Sequence, residues 1–275
     1  MSLSGHASRT ALVAAALRAV HQLVDDEPRI LEDPVVPRLL DAKTLEEIRT
    51  HPSRFRTPAL NALRVHIVTR SRWAEDRLAE ACRRGVRQYA ILGAGLDTFA
   101  YRQPPWAGAL RIFEVDHPAS QRAKRERLAA AGIVLPPNIV FVAHDLEAGS
   151  LRDDLSAAGF DAGAATFLSC LGVTMYLSAE AVDAVLAFAA VLRKGSELAL
   201  TFAAPDSSPA LAERAAAVGE TWKTRVAPDA LARRLAALGF SAIDFLTPDE
   251  AARYLQGRRD DLRPPKHVHF VSATV

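Results

Sequence analysis

Apolar residues recur at helical spacing through the first third of the chain. Between residues 9 and 24, Val13, Leu17, Val20 and Val24 fall on one stripe, which predicts a helix with Arg18 on its other side. Residues 25–37 carry three prolines and read as turns. A second helical segment covers 41–50 and stops at His51-Pro52, and Pro58 opens a long helix reaching about Arg84, with Gly85 as its C-terminal cap.

At Arg87 the period changes. Tyr89-Ala90-Ile91-Leu92 is a continuous apolar run that meets a glycine at once, the pattern of a short buried strand. Further strands are predicted at 110–115, 139–142, 164–170, 196–202, 242–246 and 267–273. Helices are predicted at 118–131, 178–192 and 228–238, with a helical insert at 209–223. Strands separated by helices of this length imply parallel crossovers and a doubly wound α/β sheet with helices on both faces. The chain then divides into an N-terminal helical cap, residues 1–85, and a Rossmann-like core, residues 86–275, interrupted by a lid insert at about 205–226.

Composition narrows the function. With 275 residues and 49% hydrophobic content, the chain can bury a large core. Its 34 basic and 32 acidic residues nearly cancel, and no basic run is interleaved with aromatics, which argues against a nucleic-acid partner. Cys82 and Cys170 are too few for a disulfide framework, so a reducing, cytoplasmic setting is expected. No run approaches ~18 apolar residues, and Met1-Ser2-Leu3-Ser4-Gly5-His6 lacks the order of a secretory signal, so no membrane partner is expected.

The chemistry gathers at strand ends. Gly93-Ala94-Gly95-Leu96-Asp97-Thr98 follows the first strand, where glycines allow a sharp turn and close approach to a ligand; a plain strand-to-helix turn is the alternative. The second strand ends in Glu114-Val115-Asp116, and alternation puts both carboxylates on one side, where a carboxylate can accept from both ribose hydroxyls. A dinucleotide and S-adenosylmethionine would both use that feature. Thr98 stands where a dinucleotide turn needs its third glycine, which leaves a pyrophosphate less well provided for. The third strand runs into His144-Asp145-Leu146, a carboxylate and an apolar side chain suited to an adenine; Asp145 as a helix N-cap is the competing reading.

Several segments together resemble the leucine carboxyl methyltransferase family, including its bacterial polyketide O-methyltransferase branch, over most of the chain. They are Thr10-Ala11 through Arg18-Ala19, Glu32-Asp33-Pro34, Arg70 with Arg72, Ile91 through Thr98 continuing to Tyr101-Arg102, Phe113 through Pro118, Asp145-Leu146, and Gly172 through Leu177. The resemblance implies a class I methyltransferase with a Rossmann-like sheet that binds S-adenosylmethionine. In that reading Gly93, Ala94 and Gly95 hold the methionine part, Asp116 binds the ribose with His117 beside it, and Asp145 and Leu146 flank the adenine. Arg70 looks like the arginine that pairs with the cofactor's carboxylate, and Arg18 like a second basic position. Two residues depart from the family pattern: Leu171 stands where many members are acidic, and Phe99 where the bacterial branch usually has arginine.

The reaction so implied is O-methylation of a small molecule, such as a natural product, or of a carboxyl terminus. A carboxylate acceptor, with a reference pKa of roughly 4, needs no general base; a hydroxyl acceptor gains from one, and His117 and His144 are the histidines placed for it. Met175 and Tyr176, after the fourth strand, are candidates to line the acceptor site. His267 and His269 alternate on the last strand without an acidic or cysteine partner nearby, so no metal is expected. An NAD(P)-dependent oxidoreductase and a non-catalytic nucleoside-binding protein are the competing functions.

Overall fold

The computed structural model describes residues 8–258, 260–265 and 268–275. Three helices come first: α1 (Arg9–Leu23), α2 (Ala42–Thr50) and α3 (Pro58–Arg83). Each begins on a side chain that accepts from a backbone amide of its own first turn: Ser8, Asp41 and Thr57. Strand and helix then alternate: β1 (Gln88–Leu92), β2 (Arg111–Asp116), α4 (Pro118–Ala130), β3 (Ile139–Ala143), α5 (Leu151–Ala157), β4 (Thr166–Cys170) and α6 (Ala179–Ala190). The chain continues through β5 (Glu197–Thr201), α7 (Pro209–Ala217), α8 (Pro228–Ala237), β6 (Ala242–Phe245), α9 (Pro248–Ala252) and β7 (Phe270–Thr274).

The seven strands form one sheet in the order β3-β2-β1-β4-β5-β7-β6. From β3 to β5 every pair is parallel. β7 departs from this pattern and runs antiparallel to both β5 and β6. Among the described residues between β6 and β7 the helical pieces are the five-residue α9 and one 3-10 turn, too short to carry the chain back across a face of the sheet, so it re-enters from the end at which β6 left. The order reverses beside β1, which puts a crevice at the tips of β1 and β4.

Alternate residues of β1 face opposite layers. Ala90 and Leu92 join α5, α6 and α8 in the largest core, whereas Tyr89 and Ile91 pack with Trp73, Ala74 and Leu78 of α3. Helices therefore cover both faces. The first helix is seated differently from its predicted stripe. Val13 is 49% exposed, and the buried face runs through Ala15, Leu17, Arg18, Ala19, Val20 and His21. The small Ala15 and Ala19 let α1 approach its neighbours closely, and Arg18 lies inside with them. In the last strand, β7 begins at Phe270, His269 precedes it, and His267 lies outside the described residues. The insert is helical only to Ala217, so Trp222 and Lys223 belong to an irregular segment.

Candidate cofactor site

β1 and β2 are neighbours with Leu92 opposite Val115, so the glycine turn and Asp116 leave the sheet side by side. The amides of Gly93 and Ala94 both donate to the Val115 carbonyl, at 2.9 and 3.0 Å. Gly93 and Gly95 hold φ of 68° and 45°, a region that side chains with a Cβ rarely adopt. Close neighbours give a second reason for glycine at both positions. A Cβ on Gly93 would lie 2.5 Å from Val173, and one on Gly95 would lie 3.3 Å from Ala11 of α1. The turn is thus closed between the β4 tip and the first helix.

The segment after the turn bears on the ligand. The chain makes two short 3-10 turns, Phe99–Tyr101 and Pro105–Ala107, and no α-helix follows the glycines before β2, so the usual strand-to-helix device for a pyrophosphate is missing. Thr98 is fully buried and donates to Asp33 at 2.7 Å. Phe99 is buried against the rings of Tyr89 and Trp106, a core role. Leu171 packs against the α3-side core.

The two carboxylates of β2 part company. Glu114 is buried, with Lys124 at 2.8 Å and the Tyr101 hydroxyl donating to it at 2.8 Å, so it belongs to the interior. Asp116 stands at the strand end. Its Oδ1 accepts from the His117 amide at 2.7 Å and its Oδ2 from the Gly95 amide, which ties the tips of β1 and β2 together. Each oxygen retains further acceptor capacity, enough for two ribose hydroxyls. Burial pushes the Asp116 carboxyl above its ordinary value, and the two amides pull it partly back.

His117 caps α4. Its Nδ1 accepts from the Ala119 amide at 3.2 Å, which assigns the ring proton of the neutral form to Nε2 and leaves a donor, not a base. Nδ1 of His144 lies 2.7 Å from Asp154 of α5. Asp145 does not cap α5, whose N-cap is Ser150; it accepts from the Glu147 amide at 3.0 Å in a turn of its own. Leu146 packs against the main core beside that turn.

The arginines divide likewise. Arg72 pairs with Asp76 on the surface. Arg18, expected to be free for a ligand, is 5% exposed, sits 3.8 Å from Asp33 and donates to the Leu96 carbonyl, which braces the glycine loop from above. Arg70 makes no hydrogen bond or ion pair among the described residues. Its guanidinium lies over Gly172 at the β4 tip. Burial, and then the neighbouring charge of Arg18, lower its pKa to about 10, so it remains a cation at neutral pH. Asp97 and Tyr176 offset part of that shift. A cation so placed calls for an anion.

Gly172, at φ of 72°, is what lets Arg70 lie there, because a Cβ would come within 2.4 Å of its Nη1. Gly172→Ala is expected to displace Arg70, to cost about 1–3 kcal/mol of stability from backbone strain and to weaken cofactor binding about tenfold. Denaturant titration and calorimetry would measure the two effects.

Beyond Gly172, Met175 is buried and Tyr176 half-buried. The Met175 carbonyl accepts from the amides of Lys223 and Thr224, at 2.7 and 3.3 Å, which seats the insert on the β4 tip. Sequence reasoning assigned no role to Asp33, Asp97 or Glu220. Asp33 and Asp97 fall inside quoted motifs, but nothing in their spacing showed which way they face. Among the described residues no group of three or more His, Cys, Asp or Glu could hold a metal ion.

Comparison with known proteins bears on this arrangement. A sequence model described as leucine carboxyl methyltransferase matches residues 11–190. The chain belongs to the leucine carboxyl methyltransferase family. A Bacillus subtilis relative named "Putative S-adenosyl-L-methionine-dependent methyltransferase YktD" is 32% identical over 193 residues, 63% of each chain. A second protein so described, from Mycobacterium marinum, is 34% identical over 233 residues, 80% of this chain and 74% of its own. A Thermobifida fusca structure described as "a putative methyltransferase" shares the fold with a TM-score of 0.60 at 18% identity, covering 99% of this chain and 96% of its own. A duf574 family protein from Streptomyces avermitilis does so with 0.54 at 19%, covering 95% of each. By family the chain is an S-adenosylmethionine-dependent methyltransferase. Among its described residues no helix is long and apolar enough to cross a membrane.

Proposed function

We propose that this member of the leucine carboxyl methyltransferase family is an O-methyltransferase acting on a carboxylate or hydroxyl of a small molecule or on a carboxyl terminus. The observation that carries the placement of its cofactor is Arg70, a cation with no hydrogen bond or ion pair among the described residues, at the β4 tip next to Arg18 and the glycine turn. In this reading Arg70 takes the carboxylate of the cofactor's methionine part, with Arg18 behind it, and Asp97 takes the ammonium. Gly93, Ala94 and Gly95 offer backbone to the same part, Asp116 binds the ribose with His117 alongside, and Asp145 and Leu146 flank the adenine. Residues 1–85 serve as a helical cap and 205–226 as a lid over the core, with Met175 and Tyr176 at the acceptor.

Bound S-adenosylmethionine supplies a methyl group made electrophilic by its sulfonium. The chain's own part is to align donor and acceptor and to exclude water. Its histidines support a carboxylate acceptor first. His117 spends its lone pair on the α4 cap and His144 is held by Asp154, so an acceptor that arrives already ionised suits the site.

Methyl-labelled cofactor offered with a panel of carboxylic acids and phenols tests the reaction. Label is expected in a carboxylic acid; tight cofactor binding with no transfer to any acceptor would turn the reading toward a non-catalytic nucleoside-binding protein. Asp116→Ala is expected to weaken adenosylhomocysteine binding by about 1–3 kcal/mol, a roughly 5- to 150-fold rise in Kd. Unchanged affinity by calorimetry would remove the ribose from Asp116.

A further inference from the structure

After α7 the chain turns back over the crevice and is fastened at two places. At one, the 6%-exposed Glu220 reaches the N-terminus of α1, more than two hundred residues away in sequence. Its carboxylate accepts from the Ser8 hydroxyl at 3.0 Å, the Thr10 amide at 3.3 Å, the Arg9 amide and the Thr10 hydroxyl. α1 has no acidic residue in its own first turn, so Glu220 supplies both the acceptors and the negative charge that a helix start attracts. α1 in turn rests on Gly95 through Ala11.

At the other place, Lys223 donates through Nζ to Glu147 at 2.6 Å and through its amide to the Met175 carbonyl, and the Thr224 hydroxyl donates to the Leu177 carbonyl at 2.6 Å. Glu147 lies two residues past Asp145. One fastening therefore stands over the β1 and β2 tips and the other over the β3 and β4 tips. Between them lies Trp222, whose indole Nε1 is buried and has no hydrogen-bond partner among the described residues. A buried donor left without an acceptor is costly, and a ligand beneath it would satisfy it.

We propose that residues 220–224 are a strap across the nucleoside crevice, with Glu220 as its latch and the Lys223–Thr224 end as its hinge. The strap contributes Trp222 to the bound ligand, and cofactor exchange requires Glu220 to leave α1. The asymmetry of the fastenings assigns the roles. Everything at the α1 end passes through one carboxylate, which a single side-chain rotation releases. The far end is held by backbone bonds as well, from Lys223 to Met175 and from Val226 to Ala203 at 2.9 Å. The proposal rests on the cofactor placement given above.

Stopped-flow mixing and displacement of adenosylhomocysteine test it. A latch acts on the population of the open state, so Glu220→Ala is expected to raise both the association and the dissociation rate by about fivefold or more, with Kd nearly unchanged. Trp222→Phe is expected to raise dissociation alone, because it removes a contact and leaves the latch intact. Glu213→Gln, on the exposed side of α7, should leave both rates as they are. Should Glu220→Ala not fold, Glu220→Gln takes its place, with the same direction and a smaller change. Rates within about twofold of the unmodified protein, or faster dissociation without faster association, would overturn the latch. Failure of the unmodified protein to bind adenosylhomocysteine would instead count against the cofactor site itself.

Discussion

Arg70→Met is expected to abolish most cofactor affinity while leaving the free protein as stable as before, or more so. Truncating one partner of a buried charge pair costs about 2–5 kcal/mol of binding, which is a rise in Kd from roughly thirtyfold to a few thousandfold. Most arginine substitutions in a protein interior also destabilise the fold, because they strand a carboxylate. Among the described residues Arg70 makes no ion pair, so the change costs only the longer-range attraction of Asp97 and relieves the repulsion between Arg70 and Arg18. Methionine keeps the aliphatic stem that fills the space over Gly172. Thermal melts with and without adenosylhomocysteine read both halves of the expectation: an unaltered melting temperature for the free protein, and loss of the increment that ligand adds. Affinity within about threefold of the unmodified protein would place the cofactor's carboxylate elsewhere.

Asp33→Ala is expected to have the largest effect on the fold. Asp33 is fully buried and gathers three parts of the chain. It accepts from the Thr98 hydroxyl at 2.7 Å and the Val36 amide at 3.0 Å, and it lies 3.8 Å from Arg18 and 3.5 Å from Arg102. Arg102 retains its pair with Glu75, so the loss falls mainly on Arg18 and Thr98. Breaking a buried ionic network from one side costs about 3–5 kcal/mol, a large fraction of the stability of a domain. Because Arg18 and Thr98 brace the loop beyond the glycines, cofactor affinity should fall along with stability. Asp33→Asn, which keeps an acceptor for Thr98, should lose less. A change below about 1 kcal/mol in denaturant unfolding would mean that the network is peripheral to the fold.

The strands and the glycine turn were legible because a buried strand reads directly as an apolar run, and β1 runs straight from Ile91 and Leu92 into Gly93. Long helices were legible for the same reason, to within a residue or two at their ends. Two short helices, α5 and α9, escaped because seven and five residues give too few turns to show a period. The face of α1 was misread. Alanines at 15 and 19 carry little hydrophobic signal, yet they mark the closest packing, and Arg18 is buried through partners that no local pattern reveals. Asp33 and Glu220 were silent for the same cause: their roles depend on residues dozens to hundreds of positions away. Within the site, Asp116 and Arg70 were picked out by their place in recognisable strings, whereas the difference between Arg70 and Arg72 comes from packing against Gly172 and is visible only in three dimensions.

The antiparallel β7 carries a consequence for how the molecule is put together. In the sheet, β6 touches β7 alone, and β7 is the last strand in chain order. While the polypeptide is being made, β1 to β5 already pair with one another, but β6 has no edge to join until its successor arrives. That edge of the sheet is thus completed only once β7 has been made, and in the interval β6 presents two bare edges, the kind of surface on which chaperones act.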